Sequence, residues 1–260
     1  MTLHKLVVIS FIFFYACQAP EDSTNSMTDM NMSLSGTPSE SDAVANEEPS
    51  MSGTEPQELS CANGLEWLTV PVRFHLLASQ IPTLNASYSE SDVRLLLEEA
   101  STFWTQACIR FEIESIITNP LTPEQEEQFQ ERLNASEMTV SSQVLMRDAM
   151  PQSQLLNQGW NVMIFDRFAA PASGIYISEI KSVLWSERLP PQAPIEENPS
   201  LILAHEFGHS FGLLHYEGSD LNQNLMAAEV MQLRATAHSL NEEQIEQARQ
   251  QVQSGQPFSN

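Results

Sequence analysis

AHEFGHSFGLLH, residues 204–215, places three of the chain's six histidines within eleven residues. A glutamate follows the first histidine, and a glycine stands between the second and third. On a helix, His205 and His209 lie one turn above each other on the same face, so both imidazoles can bind a single ion. Glu206 sits about 100° round the helix from His205, placed to act on a water at that ion without being a ligand. Such a carboxylate can take a proton from water and later deliver it to a leaving amine. The ion would lower the pKa of that water and polarise a carbonyl.

The HExxH pattern alone decides little, because it arises by chance in roughly 3% of chains of this size. Gly212 and His215 extend it to HExxHxxGxxH, and the chance figure falls to about one in ten thousand. The glycine has a physical task. Continued helix would carry His215 roughly 15 Å along the axis from His205, out of reach of the same ion. A glycine with positive φ ends the helix and turns the chain back, returning His215 as a third ligand. Three neutral protein ligands leave one position open, as a catalytic zinc site requires.

Working outward, residues 65–77 (LEWLTVPVRFHLL) mix β-branched and aromatic residues in partial alternation and predict a strand. Residues 89–92 (SESD) supply capping oxygens and first-turn acids for a helix. Val93, Leu96, Leu97, Ala100, Phe103, Trp104 and Ala107 follow at helical spacing. Residues 109–117 predict a second strand, and the polar, Glu/Gln-rich residues 119–158 predict one or two surface helices inserted between strands. Residues 160–165, 174–178 and 182–185 predict three more strands. Pro190, Pro191 and Pro194 mark a loop, and Pro199 suits the first turn of the helix that carries His205. Residues 240–252 predict a polar helix capped by Asn241. This order predicts a mixed α/β (α+β) domain around one sheet, with two helices buried against it.

With these residues placed, the chain resembles the metzincin clan of zinc endopeptidases. Its members share the long histidine motif, followed by a methionine in a tight turn beneath the metal. Asn224-Leu225-Met226-Ala227 places Met226 eleven residues after His215. The resemblance extends, as pattern, over nearly all of residues 65–253. It implies a twisted, mostly parallel five-stranded sheet with an antiparallel edge strand, a backing helix and an active-site helix. A small C-terminal subdomain would hold the Met-turn and the final helix. The resemblance implies one catalytic Zn2+ on His205, His209 and His215, with Glu206 as general base and then acid. Met226 would pack under the histidines without binding the metal.

The resemblance also implies a cleft beneath the edge strand, where Gly174, Ile175, Tyr176, Ile177 and Ser178 would pair with an extended protein or peptide substrate. Residues 228–234 would wall a side-chain pocket. It indicates no structural Ca2+. Tyr216 stands where familiar groups carry Ser, Asp, Glu or Pro, and no tyrosine follows Met226. The likeness is therefore to the clan and to no particular member of it. Tyr216 either stacks near the metal or covers the third histidine.

The N-terminus has a different character. Residues 1–5 are positively charged, and residues 6–15 (LVVISFIFFY) form an apolar run too short for a membrane span and suited to a secretory signal. Ala16-Cys17 at its end resembles a bacterial lipobox, which implies cleavage before Cys17 and its acylation. Cleavage after Ala19 would leave Pro20 directly after the cut, which is unfavourable. Residues 18–60 carry nine acidic residues, no basic ones and no aromatic ring, a composition that predicts a disordered tether. The expected organisation is a signal peptide over 1–16, a lipidated cysteine and tether over 17–60, and a zinc metalloprotease catalytic domain over 61–260. The expected location is the cell envelope of a bacterium, and Gln18 after the cysteine favours an outer membrane.

A formal net charge of −23 argues against nucleic acid and against adsorption to anionic lipid. Membrane contact is expected through the lipid alone, with the chain acting as a monomer. With Cys17 set aside, Cys61 and Cys108 form an even pair for an oxidising compartment. A bridge between them would contribute roughly 4 kcal/mol by loop closure. The alternative is Cys61 as a removable thiolate ligand on the metal.

Two other functions compete with the endopeptidase. One is a catalytically inactive, metal-stabilised surface lipoprotein that binds a partner, a role in which Glu206 would have no task. The other is a deformylase-like hydrolase, which shares HExxHxxG but needs an upstream cysteine ligand, and Cys108 lies in no matching context. His75 and His238 read as packed or exposed histidines and not as ligands.

Overall fold

β1 (Leu68–Ala78) occupies the second position of a five-stranded sheet. In this computed structural model the chain divides at Leu59/Ser60 into two units. The structure describes residues 61, 64–134, 149, 152–167, 174–188, 198–218, 223–227 and 238–259. The expected signal segment, Cys17, the acidic tether and the wall at 228–234 lie outside the described residues, as does much of the 119–158 insert.

The strand order is β2-β1-β3-β5-β4, with β2 Ile109–Pro120, β3 Trp160–Phe165, β4 Gly174–Ile177 and β5 Ser182–Ser186. All pairs are parallel except β4 with β5. This is the mostly parallel sheet with one antiparallel edge strand that the resemblance implied. β3 and β5 have neighbours on both sides and are buried at every position. That is why they show no apolar–polar alternation, with Val162–Phe165 and Val183–Trp185 apolar throughout.

The pleat sends successive side chains to opposite faces. Val70, Val72, Phe74, Trp160, Val162, Ile164, Val183 and Trp185 fill the inner face. Leu77, Met163, Phe165, Leu184 and Ile177 fill the outer one, where Phe129 of α2 (Pro123–Asn134) joins them. On the inner face lie α1 (Glu90–Trp104), α3 (Pro199–Ser210) and α4 (Glu242–Gln253).

α1 begins at Ser89, which exchanges capping hydrogen bonds with Asp92. It buries Val93, Leu96, Leu97, Ala100 and Trp104. A 3-10 turn at Thr105–Ala107 then leads to Cys108, which adopts a left-handed conformation and is disulfide-bonded to Cys61, with Cα atoms 5.8 Å apart. Arg249 of α4 donates to the carbonyls of Ala107 (2.8 Å) and Glu66 (3.1 Å), tying the C-terminal helix to this corner.

His75 is fully buried on the outer face between Asn119 (2.9 Å) and Asn161 (3.3 Å), a satisfied core histidine outside the group formed by His205, His209 and His215. His238 is half-buried, with its ring edge-on to Phe103.

Candidate metal centre

α3 starts where Asn198 accepts from the backbone N–H groups of Ser200 and Leu201, with Pro199 in the first turn. The helix is buried on nearly every side, as an all-round apolar helix must be. His205 and His209 project from adjacent turns of it. Their Nε2 atoms lie 3.0 Å apart, and the Nε2 of His215 lies 3.2 Å from that of His209. The three residues form a group able to hold one metal ion.

The tautomers follow from the surroundings. Nδ1 of His205 faces the carbonyl of Leu225 at 2.8 Å, and Nδ1 of His209 faces the carbonyl of Leu213 at 2.8 Å. A carbonyl only accepts, so each Nδ1 carries the proton and each Nε2 presents a lone pair. Two lone pairs aimed at each other across 3.0 Å repel unless a cation lies between them. Burial keeps the rings neutral, helped at His205 and His209 by the neighbouring imidazoles. His205 is held well below its ordinary value, His209 falls to about 4, and His215 is lowered as well. Neutral rings with their second nitrogen fixed by a backbone acceptor are what a metal-ligating histidine requires. Zinc–nitrogen bonds of 2.0–2.1 Å in a tetrahedron set the nitrogens about 3.3 Å apart, close to the spacing found. The donor set fits zinc.

Gly212 brings the third histidine back. Its φ of +82° is the left-handed region that glycine adopts without strain. The N–H of Leu213 reaches back to Gly208 O (3.0 Å) and that of Gly212 to His209 O (2.9 Å), the paired bonds of a Schellman cap. The same cap presents Leu213 O to His209, so one turn ends the helix, orients the second histidine and returns the third.

Met226 lies beneath the site in a turn built by Asn224. The Asn224 side chain accepts from the Met226 N–H (2.8 Å) and is gripped by Gln244, whose side-chain oxygen also accepts from the N–H of Asn241, the cap of α4. The Met226 carbonyl accepts from Tyr216 N–H at 2.7 Å, and Tyr216 packs half-buried against the inner core. Gly208 lets the methionine approach. A Cβ on Gly208 would stand 2.9 Å from Met226 Cε and closer still to its sulfur.

Glu206 is 8% exposed and points to the edge strand, where its Oε2 accepts the Tyr176 N–H at 2.8 Å. Burial raises its carboxyl to about 8, against the pull of the Tyr176 N–H. Gly174 and Tyr176 of β4 turn towards α3, whereas Ile175 and Ile177 pack on the outer face. Ser178 lies beyond the strand, in the turn to β5.

Sequence reading missed Gly208, Asn224 with Gln244, and the Tyr176 N–H. Of these, only Gly208, a glycine inside a helix, left a local signal.

No protein-family profile and no curated protein matches the chain. Among solved structures it is similar to archaemetzincin from Methanopyrus kandleri, at 13% identity and a TM-score of 0.42. That match covers 72% of this chain and 96% of the other. It is also similar to metalloproteinase-II from Bacteroides fragilis, at 14% identity and a TM-score of 0.46, covering 76% of this chain. The chain spans about half of that protein, 55% of its length.

Proposed function

We propose that the chain is a zinc-dependent endopeptidase that hydrolyses peptide bonds in extended protein segments. The observation that carries this reading is the convergence of the His205, His209 and His215 imidazole nitrogens, with the buried Glu206 next to His205 on the same helix. Zinc, when bound, supplies a Lewis acid that activates water and polarises the scissile carbonyl.

This chain's residues do the rest. The three imidazoles stay neutral and are oriented by Leu225 O, by Leu213 O and by the Gly212 turn. Glu206, with Oε2 held by Tyr176, has Oε1 left to take a proton as the water oxygen attacks the carbonyl carbon. The C–N bond then breaks, and the same carboxyl hands the proton to the leaving nitrogen. Among the described residues β4 is the sheet's edge strand, and its outward main-chain groups other than the Tyr176 N–H, which Glu206 takes, suit an extended backbone.

Glu206→Gln is expected to retain one zinc per chain and lose about 10²–10⁴-fold in casein hydrolysis. Undiminished hydrolysis by that variant refutes the mechanism. A zinc-loaded wild type that cuts no member of a diverse peptide library points instead to a metal-stabilised binding module. Attachment to a membrane through acylated Cys17 belongs to the proposal as well, and persistence of fatty-acid labelling in Cys17→Ser refutes that part.

A further inference from the structure

We infer that Tyr176 is a positioning residue for Glu206, and that residues 255–258 near the C-terminus set its position. The inference rests on reading Glu206 as the general base. β4 has four residues and, among the described residues, is paired on one side only, by β5, so its own ladder holds it weakly. Among the described residues two further bonds fix it, and both come from Tyr176. Its N–H donates to Glu206 Oε2 at 2.8 Å, and its phenol O–H donates to the carbonyl of Phe258. Burial pushes the phenol above its ordinary value, so it remains a donor at any working pH.

Phe258 is itself anchored to the helix that carries the site. Its N–H donates to Ser210 O at 2.8 Å, in the last turn of α3. The tail before it is held by Gly159 N–H on Gly255 O (3.0 Å), Gln251 on Gln256 O (2.7 Å) and Lys181 on the Gln256 side chain (3.2 Å). The bonds close a circuit: Glu206, Tyr176, Phe258, Ser210, and back along one turn of α3 to Glu206. Its two ends lie on one rigid helix, so the circuit sets the height of the edge strand above Glu206.

The fit is close. A Cβ added to Gly174 would stand 2.9 Å from Glu206 Cγ, so the strand backbone rests on the glutamate stem. Glutamate has three rotatable side-chain bonds. With one oxygen pinned from above and the stem pressed by Gly174, the remaining oxygen keeps one direction. A tail 82 residues from Tyr176 in sequence thereby reaches the general base without touching it.

The test uses the full chain carrying Tyr176→Phe and a second chain ending at Gly255. In metal-free protein, hydrogen exchange across residues 174–178 is expected to quicken about fivefold or more in both. With zinc bound, kcat on a peptide is expected to fall about 5- to 10-fold, with KM and zinc affinity within about twofold. The double variant is expected to be no worse than the poorer single one, because both cut the same circuit. Unchanged exchange at 174–178, an unchanged kcat, a change confined to KM, or effects that multiply would each overturn the inference. The exchange measurement needs no catalysis. A wild type that cuts no peptide therefore sinks the peptidase reading and still leaves the Tyr176 tie to be judged.

Discussion

Replacing Glu206 by glutamine should remove activity and, in the metal-free protein, add stability. Burial moves this carboxyl from an ordinary 4.5 to about 8. A folded-state value above the unfolded one means that the native protein binds the proton more tightly. Native stability is then undiminished below the unfolded value and falls as pH rises through the interval, levelling off above the folded value. Each tenfold step in proton activity is worth about 1.4 kcal/mol. The burden is under about 1 kcal/mol at pH 5, about 3 at pH 7, and between about 4 and 5 above pH 8. Glutamine has no charge to strip of water and can still accept the Tyr176 N–H through its amide oxygen. The assay is urea unfolding of wild type and Glu206→Gln in a chelator at pH 5, 7 and 8.5. The three histidines shift in the opposite direction but are common to both proteins, so the difference isolates position 206. The variant is expected to gain little at pH 5 and progressively more towards pH 8.5. A variant equal to or weaker than wild type at pH 8.5 refutes the claim that the carboxylate is buried against its charge.

Gly208→Ala drives a methyl group into the sulfur of Met226 and is expected to destabilise the protein by about 1–3 kcal/mol, read from urea midpoints. Zinc should raise the melting temperature of wild type at pH 7, and the gain should vanish towards pH 4 as the imidazoles take up protons. His215→Ala should lose most of that gain even at pH 7, which calorimetry with and without zinc checks.

What could be read from the sequence follows the range of the forces involved. His205, His209 and Gly212 were legible because one helix and its cap fix their relations within a few residues. The capping residues at 89–92 and Pro199 in the first turn of α3 were local in the same way, whereas the Asn198 cap was not read. Strand limits were less legible, because a ladder partner sets them. β1 begins at Leu68, opposite Ile109, and β2 runs on to Pro120, opposite Ala78, where periodicity alone placed the ends at 65 and 117. β4 stops at Ile177 because the chain turns there, with Lys181 at a φ of +50°, a value no pattern around Ser178 announces. The grip of Gln244 on Asn224 and the Tyr176–Phe258 bond join residues 20 and 82 positions apart. Neither leaves a periodic trace.

The motif also carries half of its own foundation in residues that the metal pattern leaves blank. Within HEFGHSF, His205 and His209 turn to the histidine cluster and Glu206 to β4, while Phe207 and Phe211 pack into the aromatic core. Phe207 stacks on Phe111 of β2 with centroids 4.3 Å apart, and Phe211 meets Trp104 edge-on at 4.8 Å and Trp160 at 5.6 Å. Trp104 donates to Ala204 O, beside the first ligand, and Trp160 to Ser210 Oγ, beside the second. A helix bearing a buried carboxyl, neutral imidazoles and an interior glycine is intrinsically poor, and these rings offset that weakness from the opposite face. They also limit its freedom to rotate. A turn of α3 about its axis that displaced the lone-pair nitrogens would have to pull two phenylalanines out of a closed aromatic cluster. The spacing of the ligands belongs to the helix, but their direction is held by Phe207 and Phe211.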